Sequence, residues 1–101
     1  MAGGTINQTV RPLLTPLYDG SEAVSYTGTA GTSAALPGNC TAVMVWATTD
    51  TYIKVGASVT ATSNDLMLPA YTPIIIPCEP ADVVSFLRIA TSGTGYVNPF
   101  Q

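Results

Sequence analysis

The stretch Thr-Ala-Val-Met-Val-Trp-Ala-Thr-Thr-Asp-Thr-Tyr-Ile-Lys-Val, residues 41–55, places two short β-type runs on either side of a polar turn. Branched, aromatic and other apolar residues fill Thr41 to Ala47 and Thr51 to Val55, which favours strands because such side chains pack well on a pleated surface. The residues Thr48-Thr49-Asp50 between the runs are turn formers. We therefore predict two strands here, with a reversal of the chain between them.

The same spacing continues on both sides of this stretch. Short β-type runs alternate with turns rich in Gly, Pro, Asn and Ser. The predicted strands span residues 23–27, 32–36, 41–47, 51–55, 65–68, 72–77, 83–90 and 94–98. Seven or eight short strands at this spacing predict an all-β protein, a small antiparallel β-sandwich or barrel of jelly-roll or immunoglobulin-like size. A weak helix over residues 57–68 is disfavoured, because Val59, Thr60 and Thr62 are β-branched.

The first 22 residues have a different character from the remainder. Prolines at positions 12 and 16 and the pair Gly3-Gly4 oppose a helix and favour extended backbone. We predict an extended N-terminal arm over residues 1–22 and a single β-sandwich domain over residues 23–101. The arm is either a frayed terminus or a segment that becomes ordered on a neighbouring subunit. The candidate contact residues of the arm are Ile6, Val10, Leu13, Leu14, Leu17 and Tyr18.

The composition limits the chemistry that the chain can perform. It has 101 residues, of which 47% are hydrophobic and 9% charged, and it contains no histidine. Histidine is the commonest general base and metal ligand, and the remaining carboxylates, thiols and tyrosines form no recognisable catalytic or metal-binding spacing. We therefore expect a protein that is not an enzyme and has no cofactor, metal site or small-molecule substrate.

The same composition argues against two kinds of partner. Three basic residues, Arg11, Lys54 and Arg88, cannot form a stripe that neutralises several phosphates, so we expect no nucleic-acid binding. No apolar run approaches the ~18 residues of a membrane span, so we expect no membrane partner. The N-terminus lacks the basic start and apolar stretch of a secretory signal, and we expect synthesis in a cytoplasm.

Cys40 and Cys78 are the only cysteines. Two thiols without histidine cannot complete a four-coordinate zinc site. If every connection after Thr41 reverses the chain, the strand that follows Cys40 begins at the end of the sandwich where the strand before Cys78 finishes. This parity permits a disulfide, but a disulfide also needs Cα atoms within about 7 Å. A disulfide and two free thiols both remain open.

Two apolar runs and four aromatic residues indicate surfaces for contact. Residues 42–47 and 83–90 are apolar on both faces, which in a two-layer domain favours an interface. Trp46 and Tyr52 flank a short turn and are predicted to form a cross-strand pair in the core. The alternative is a carbohydrate-stacking platform formed by Trp46, Tyr52, Tyr71 and Tyr96.

Four segments, in their order and spacing, carry a resemblance to a known family. They are Ser33-Ala34-Ala35-Leu36-Pro37, then Tyr52-Ile53-Lys54-Val55-Gly56, then Val59-Thr60-Ala61-Thr62-Ser63-Asn64-Asp65 followed by Leu68-Pro69-Ala70, and finally Thr91-Ser92-Gly93-Thr94-Gly95-Tyr96-Val97. Over about two-thirds of its length the chain resembles small Thr- and Ala-rich β-sandwich virion structural proteins of tailed bacteriophages. Cys40 and Cys78 stand where that family has Gly-rich or Ala-rich positions.

The resemblance implies a virion structural protein of the capsid decoration, or cement, type. Its implied partners are the major capsid protein and copies of the chain itself, with a trimer favoured, and its implied location is the capsid surface of the virion after synthesis in the host cytoplasm. A tail, head-tail connector or fibre-base component and a carbohydrate-binding module are the alternatives.

Overall fold

The computed structural model describes residues 15–101. The candidate arm residues Ile6, Val10, Leu13 and Leu14 lie outside the described residues. A 3-10 turn, Tyr18–Gly20, precedes the first strand. The strands are β1 (Glu22–Tyr26), β2 (Gly31–Thr32), β3 (Ala42–Ala47), β4 (Thr51–Gly56), β5 (Leu66–Leu68), β6 (Ile74–Pro77), β7 (Val83–Arg88) and β8 (Gly93–Phe100). The predicted all-β class is confirmed, and each predicted strand has a counterpart.

The strands form two antiparallel four-stranded sheets. Sheet A has the order β1-β8-β3-β6, and sheet B has the order β2-β7-β4-β5. Strands β4 and β5 form a hairpin in sheet B, and every other connection between consecutive strands passes from one sheet to the other. The first half of the chain pairs antiparallel with the second half: β4 with β5, β3 with β6, β2 with β7 and β1 with β8. The chain is thus one long antiparallel hairpin that folds into two sheets. This arrangement is an eight-stranded jelly roll.

The core lies between the two sheets, at alternate positions of the central strands. Along β3 the side chains of Val43, Val45 and Ala47 are fully buried, while Met44 and Trp46 between them are partly exposed. This alternation follows from the period of two along a strand. In the centre the ring of Phe86 from sheet B stacks on Tyr26 from sheet A, with 5.9 Å between ring centroids.

Strand β2 is shorter than the predicted strand at residues 32–36, because a side chain takes the place of a backbone acceptor. The amide of Ser33 donates to the carbonyl of Val84 at 2.8 Å. The amide of Val84 then donates to the hydroxyl of Ser33 at 2.9 Å, where a regular ladder would use a carbonyl. The backbone ladder with β7 therefore ends at Thr32.

Residues 15–17 are attached to the end of β8. The amide of Thr15 donates to the carbonyl of Gln101 and the amide of Leu17 donates to the carbonyl of Pro99, at 2.8 and 2.9 Å. Leu17 packs against the core, whereas Tyr18 is 79% exposed. Of the two candidate arm contacts that are described, Leu17 thus packs on its own domain and Tyr18 is open to solvent. The predicted boundary at residue 22 falls within β1.

Candidate interaction surface

The outward side of sheet A carries no charged side chain among its described strand positions. The outward positions are Ala23 and Ser25 of β1, Ala42, Met44 and Trp46 of β3, Ile75 and Pro77 of β6, and Thr94, Tyr96, Asn98 and Phe100 of β8. Glu22 begins β1, but its carboxylate accepts the amide of Ala34 at 3.0 Å. The outward side is therefore apolar at its centre and polar without charge at its rim.

We call the large apolar residues of this side, together with the tyrosine that borders them, the apolar face. It comprises Met44, Trp46, Tyr71, Ile75, Tyr96 and Phe100. Ile75 on the edge strand β6 is 53% exposed and Tyr71 in the β5–β6 connection is 67% exposed. Exposed apolar side chains are inexpensive to desolvate, so such a face suits contact with another large surface.

Trp46 is the centre of the apolar face. Its ring stacks on Tyr96 of β8, with 4.3 Å between centroids and 16° between planes. Tyr71 approaches from the side of β6, at 5.8 Å and 34°. Strand β3 lies between β8 and β6, so the indole is flanked by a tyrosine on each side.

Tyr71 is held in this position by a strained backbone conformation. Tyr71 has a φ of 56°, in the left-handed region that bulky residues rarely adopt. Its amide donates to the carbonyl of Ala47 at the end of β3, at 2.7 Å. This hydrogen bond fixes the turn that places the phenol beside Trp46.

The predicted pairing of Trp46 with Tyr52 is wrong. The turn at residues 48–50 does not close a hairpin; it carries the chain from β3 in sheet A to β4 in sheet B. Tyr52 therefore pairs with Leu87 and Met67 on the other side of the sandwich. Of the four residues of the hypothetical sugar platform, the structure brings Trp46, Tyr71 and Tyr96 together and separates Tyr52 from them.

The outward side of sheet B differs, because part of the chain covers it. The connection over residues 57–65 passes across β7, and Ala61 within it is 3% exposed. Its amide donates to the hydroxyl of Ser85, which is itself fully buried, at 2.9 Å. The apolar run at residues 83–90 was predicted to be an interface, but the connection over residues 57–65 covers this run at Ser85. Sheet B also carries the ion pair of Lys54 and Asp65, 3.8 Å apart.

Cys40 and Cys78 meet at one end of the sandwich. Their Sγ atoms lie 3.1 Å apart, which is longer than a disulfide bond of about 2.0 Å, and both residues are free thiols. The amide of Cys78 donates to the carbonyl of Thr41 at 3.1 Å, so the ladder of β3 and β6 sets the approach. The parity of the strands thus identified the correct end of the fold.

The two thiols differ in their access to solvent, and the pKa of Cys78 is raised. Cys40 is fully buried, whereas Cys78 is partly exposed. Burial raises the pKa of the Cys78 thiol to about 12, with further contributions from the hydrogen bond and charge of Cys40 and from the carboxylates of Asp82 and Glu79. The thiolate of Cys78 is therefore scarce at neutral pH.

Metal binding and membrane insertion also depend on features that can be read from residues 15–101. Among these residues no group of three or more acidic or cysteine side chains could hold a metal ion. Within the same range no helix is long and apolar enough to cross a membrane. No protein-family model, curated protein or solved structure matches the chain.

Proposed function

We propose that this chain is a non-enzymatic structural protein of a bacteriophage virion, a capsid decoration protein that binds the outside of the major capsid shell through its apolar face. The observation that supports this most directly is the uncharged apolar side of sheet A. Contact with the shell buries Ile75 and Tyr71 and fully covers Trp46. The chain is made in the host cytoplasm and then located on the virion surface.

The physical requirements of such a protein fit the molecule. A decoration protein binds the same site on many shell subunits, so it needs a broad surface whose desolvation is inexpensive. The six residues of the apolar face carry no charge that must be desolvated, and Thr94 and Asn98 beside them can form hydrogen bonds. The jelly roll is also a fold of viral capsid domains, although fold alone does not determine function.

In an oligomer, several copies of the chain bind the shell together. Weak contacts at each site add up when the copies are linked, because the second and later binding events become intramolecular. A closed cyclic assembly is the usual form of a soluble homo-oligomer. The resemblance to decoration proteins favours a trimer. We propose that the copies contact one another through a surface other than the apolar face, which contacts the shell.

The first experiment is a count of copies in purified particles that contain the chain. Quantitative mass spectrometry of the particle gives the ratio of this chain to the major capsid protein. A decoration protein gives a ratio set by the shell lattice, with many copies per particle. A few copies per particle would instead indicate a tail, connector or fibre-base component and would overturn the proposal.

The second experiment tests the surface itself. Shells that lack the chain are mixed with purified protein and sedimented. Ile75→Asp places a charge on the apolar face and is expected to weaken binding about tenfold or more. Met67→Asp is the matched control, because Met67 is 63% exposed on sheet B and Ile75 is 53% exposed on sheet A. Equal binding by the two variants would show that the apolar face does not contact the shell.

A sugar-binding module is the second candidate, favoured by the cluster of Trp46, Tyr71 and Tyr96. Both sides of the indole are flanked by tyrosines, so the exposed ring of Tyr71 is the surface on which a sugar would stack. A glycan array probed with the full chain and with Tyr71→Ala separates the two candidates. Binding that disappears in Tyr71→Ala would support the sugar module, and no binding by either would remove it.

A further inference from the structure

The contact between Cys40 and Cys78 connects the start of a central strand to the end of an edge strand. Cys40 precedes β3, and Cys78 follows β6, which within residues 15–101 pairs with β3 alone and forms one edge of sheet A. The register Ala42 to Pro77 brings the two ends together. A covalent link between the cysteines would therefore hold the end of the edge strand that carries Ile75.

We propose that Cys40 and Cys78 form a redox-controlled cross-link, a dithiol under reducing conditions and an intramolecular disulfide when a low-molecular-weight disulfide oxidant is present. The inference concerns the chemistry of the two thiols and does not depend on the proposed function. The two sulfurs are already 3.1 Å apart. Closure to bonding distance needs a movement of about 1 Å at one end of the sandwich.

The difference in exposure sets the order of the steps. Cys78 is the accessible thiol, so its thiolate attacks one sulfur of glutathione disulfide and forms a mixed disulfide, releasing one glutathione thiolate. The sulfur of Cys40 then attacks the sulfur of Cys78, and the second glutathione leaves. Two electrons pass from the two protein thiols to the oxidant, and the two thiol protons end on two molecules of glutathione.

The surroundings make both redox states persistent. Burial and the nearby carboxylates keep the thiolate of Cys78 scarce, so reaction with an oxidant is slow at neutral pH. Once formed, the disulfide has one sulfur, that of Cys40, fully inaccessible to an attacking thiol. The cross-link is thus expected to respond to a sustained change of environment rather than to a brief one.

The test uses the full chain, purified in reductant and then incubated with glutathione disulfide at pH 8. Denaturation, alkylation and intact-mass analysis count the free thiols. The expected product has no alkylated cysteine and has lost two hydrogen atoms. Cys40→Ser should stop at a stable mixed disulfide on Cys78, because the second sulfur is missing. Two alkylated cysteines in the wild type, a stable glutathione adduct, or a disulfide-linked dimer would each overturn the proposal.

Thermal unfolding provides an independent readout. The two cysteines are 38 positions apart, so the disulfide removes much of the conformational freedom of the unfolded chain. We expect the midpoint of unfolding to rise by about 10 °C or more on oxidation. The double variant Cys40→Ala, Cys78→Ala should show the same midpoint with and without oxidant. An unchanged midpoint in the oxidised wild type would show that the link is not formed in the native geometry.

Discussion

The ring of Phe86 covers Gly95 so closely that a Cβ at position 95 would lie 2.5 Å from two carbons of the ring. Gly95 is on β8 of sheet A and Phe86 is on β7 of sheet B. The contact therefore sets the distance between the two sheets at the centre of the sandwich. It is also fully buried, since Phe86 has no exposed surface.

Gly95→Ala is expected to lower the free energy of unfolding by about 1 to 3 kcal/mol, because the added methyl group forces either the ring or a strand to move. Gly38→Ala is the control, since a Cβ there meets nothing within 4 Å and no glycine in residues 15–101 has a positive φ. It should be neutral or stabilise the fold by about 0.5 kcal/mol. Urea unfolding measures both.

The variant Phe86→Leu tests whether crowding against the ring causes the loss of stability in Gly95→Ala. If the cost of Gly95→Ala comes from the ring, Phe86→Leu should reduce that cost, since leucine is smaller. An equal cost of Gly95→Ala in the wild type and in Phe86→Leu would contradict the account.

The hydroxyl of Ser85 holds the connection that covers sheet B. Ser85→Ala removes the acceptor of the Ala61 amide, and both groups are buried. A buried amide without a partner costs about 1 to 3 kcal/mol, and we expect a loss of that size in urea unfolding. Ser63→Ala, an exposed serine in the same connection, should change the stability by less than about 0.5 kcal/mol. Equal effects of the two variants would show that Ser85 does not anchor the connection.

The alternation of residue types was sufficient to predict the strands. Val43, Val45 and Ala47 alternate with Met44 and Trp46, and this period of two fixes both the strand and its two sides. The end of the strand at Thr32 could not be predicted in the same way. It depends on the hydroxyl of Ser33 replacing a carbonyl, which is a contact with a strand about 50 residues later.

The arrangement of the aromatic residues was the larger error, and its cause is topological. A short turn between two strands normally closes a hairpin, so the sequence predicted that Trp46 and Tyr52 form a cross-strand pair. In the jelly roll the same turn changes sheets, and Tyr96 from the far end of the chain becomes the neighbour of Trp46. Local patterns carry no information about which sheet the next strand joins. By contrast, the directions of the strands were enough to predict that Cys40 and Cys78 lie at the same end of the sandwich, although their contact also depends on the pairing of β3 with β6.

The pKa of Cys78 predicts a loss of stability at alkaline pH under reducing conditions. In the unfolded chain this thiol loses its proton near its ordinary pKa of about 9, whereas in the fold it keeps the proton to about 12. Between these values the folded chain binds more protons, so the free energy of unfolding contributed by this group is complete below pH 9 and decreases as the pH rises. The groups that face the thiol are Cys40, Asp82 and Glu79.

Urea unfolding of the wild type and of Cys78→Ser between pH 8 and pH 10.5, with a phosphine reductant, isolates this contribution. The remaining ionisable side chains are the same in both proteins, so their contributions cancel in the difference. The wild type should lose stability relative to the variant as the pH rises. A constant difference across the range would mean that the fold does not hold the thiol in its neutral form.

The orientation proposed for the protein on a capsid shell predicts which side chains become protected from oxidation. Tyr71 and Met67 are comparably exposed in the free chain, at 67% and 63%, but they lie on opposite sides of the sandwich. Hydroxyl-radical footprinting with peptide mass spectrometry measures the oxidation of each residue in free chain and in chain bound to shells. The rate at Tyr71 should fall severalfold on binding and the rate at Met67 should remain close to its free value, because the shell excludes solvent from sheet A alone. Protection of Met67 without protection of Tyr71 would place sheet B against the shell, and protection of neither would mean that both outward sides stay open and that binding uses the ends of the sandwich or the N-terminal residues.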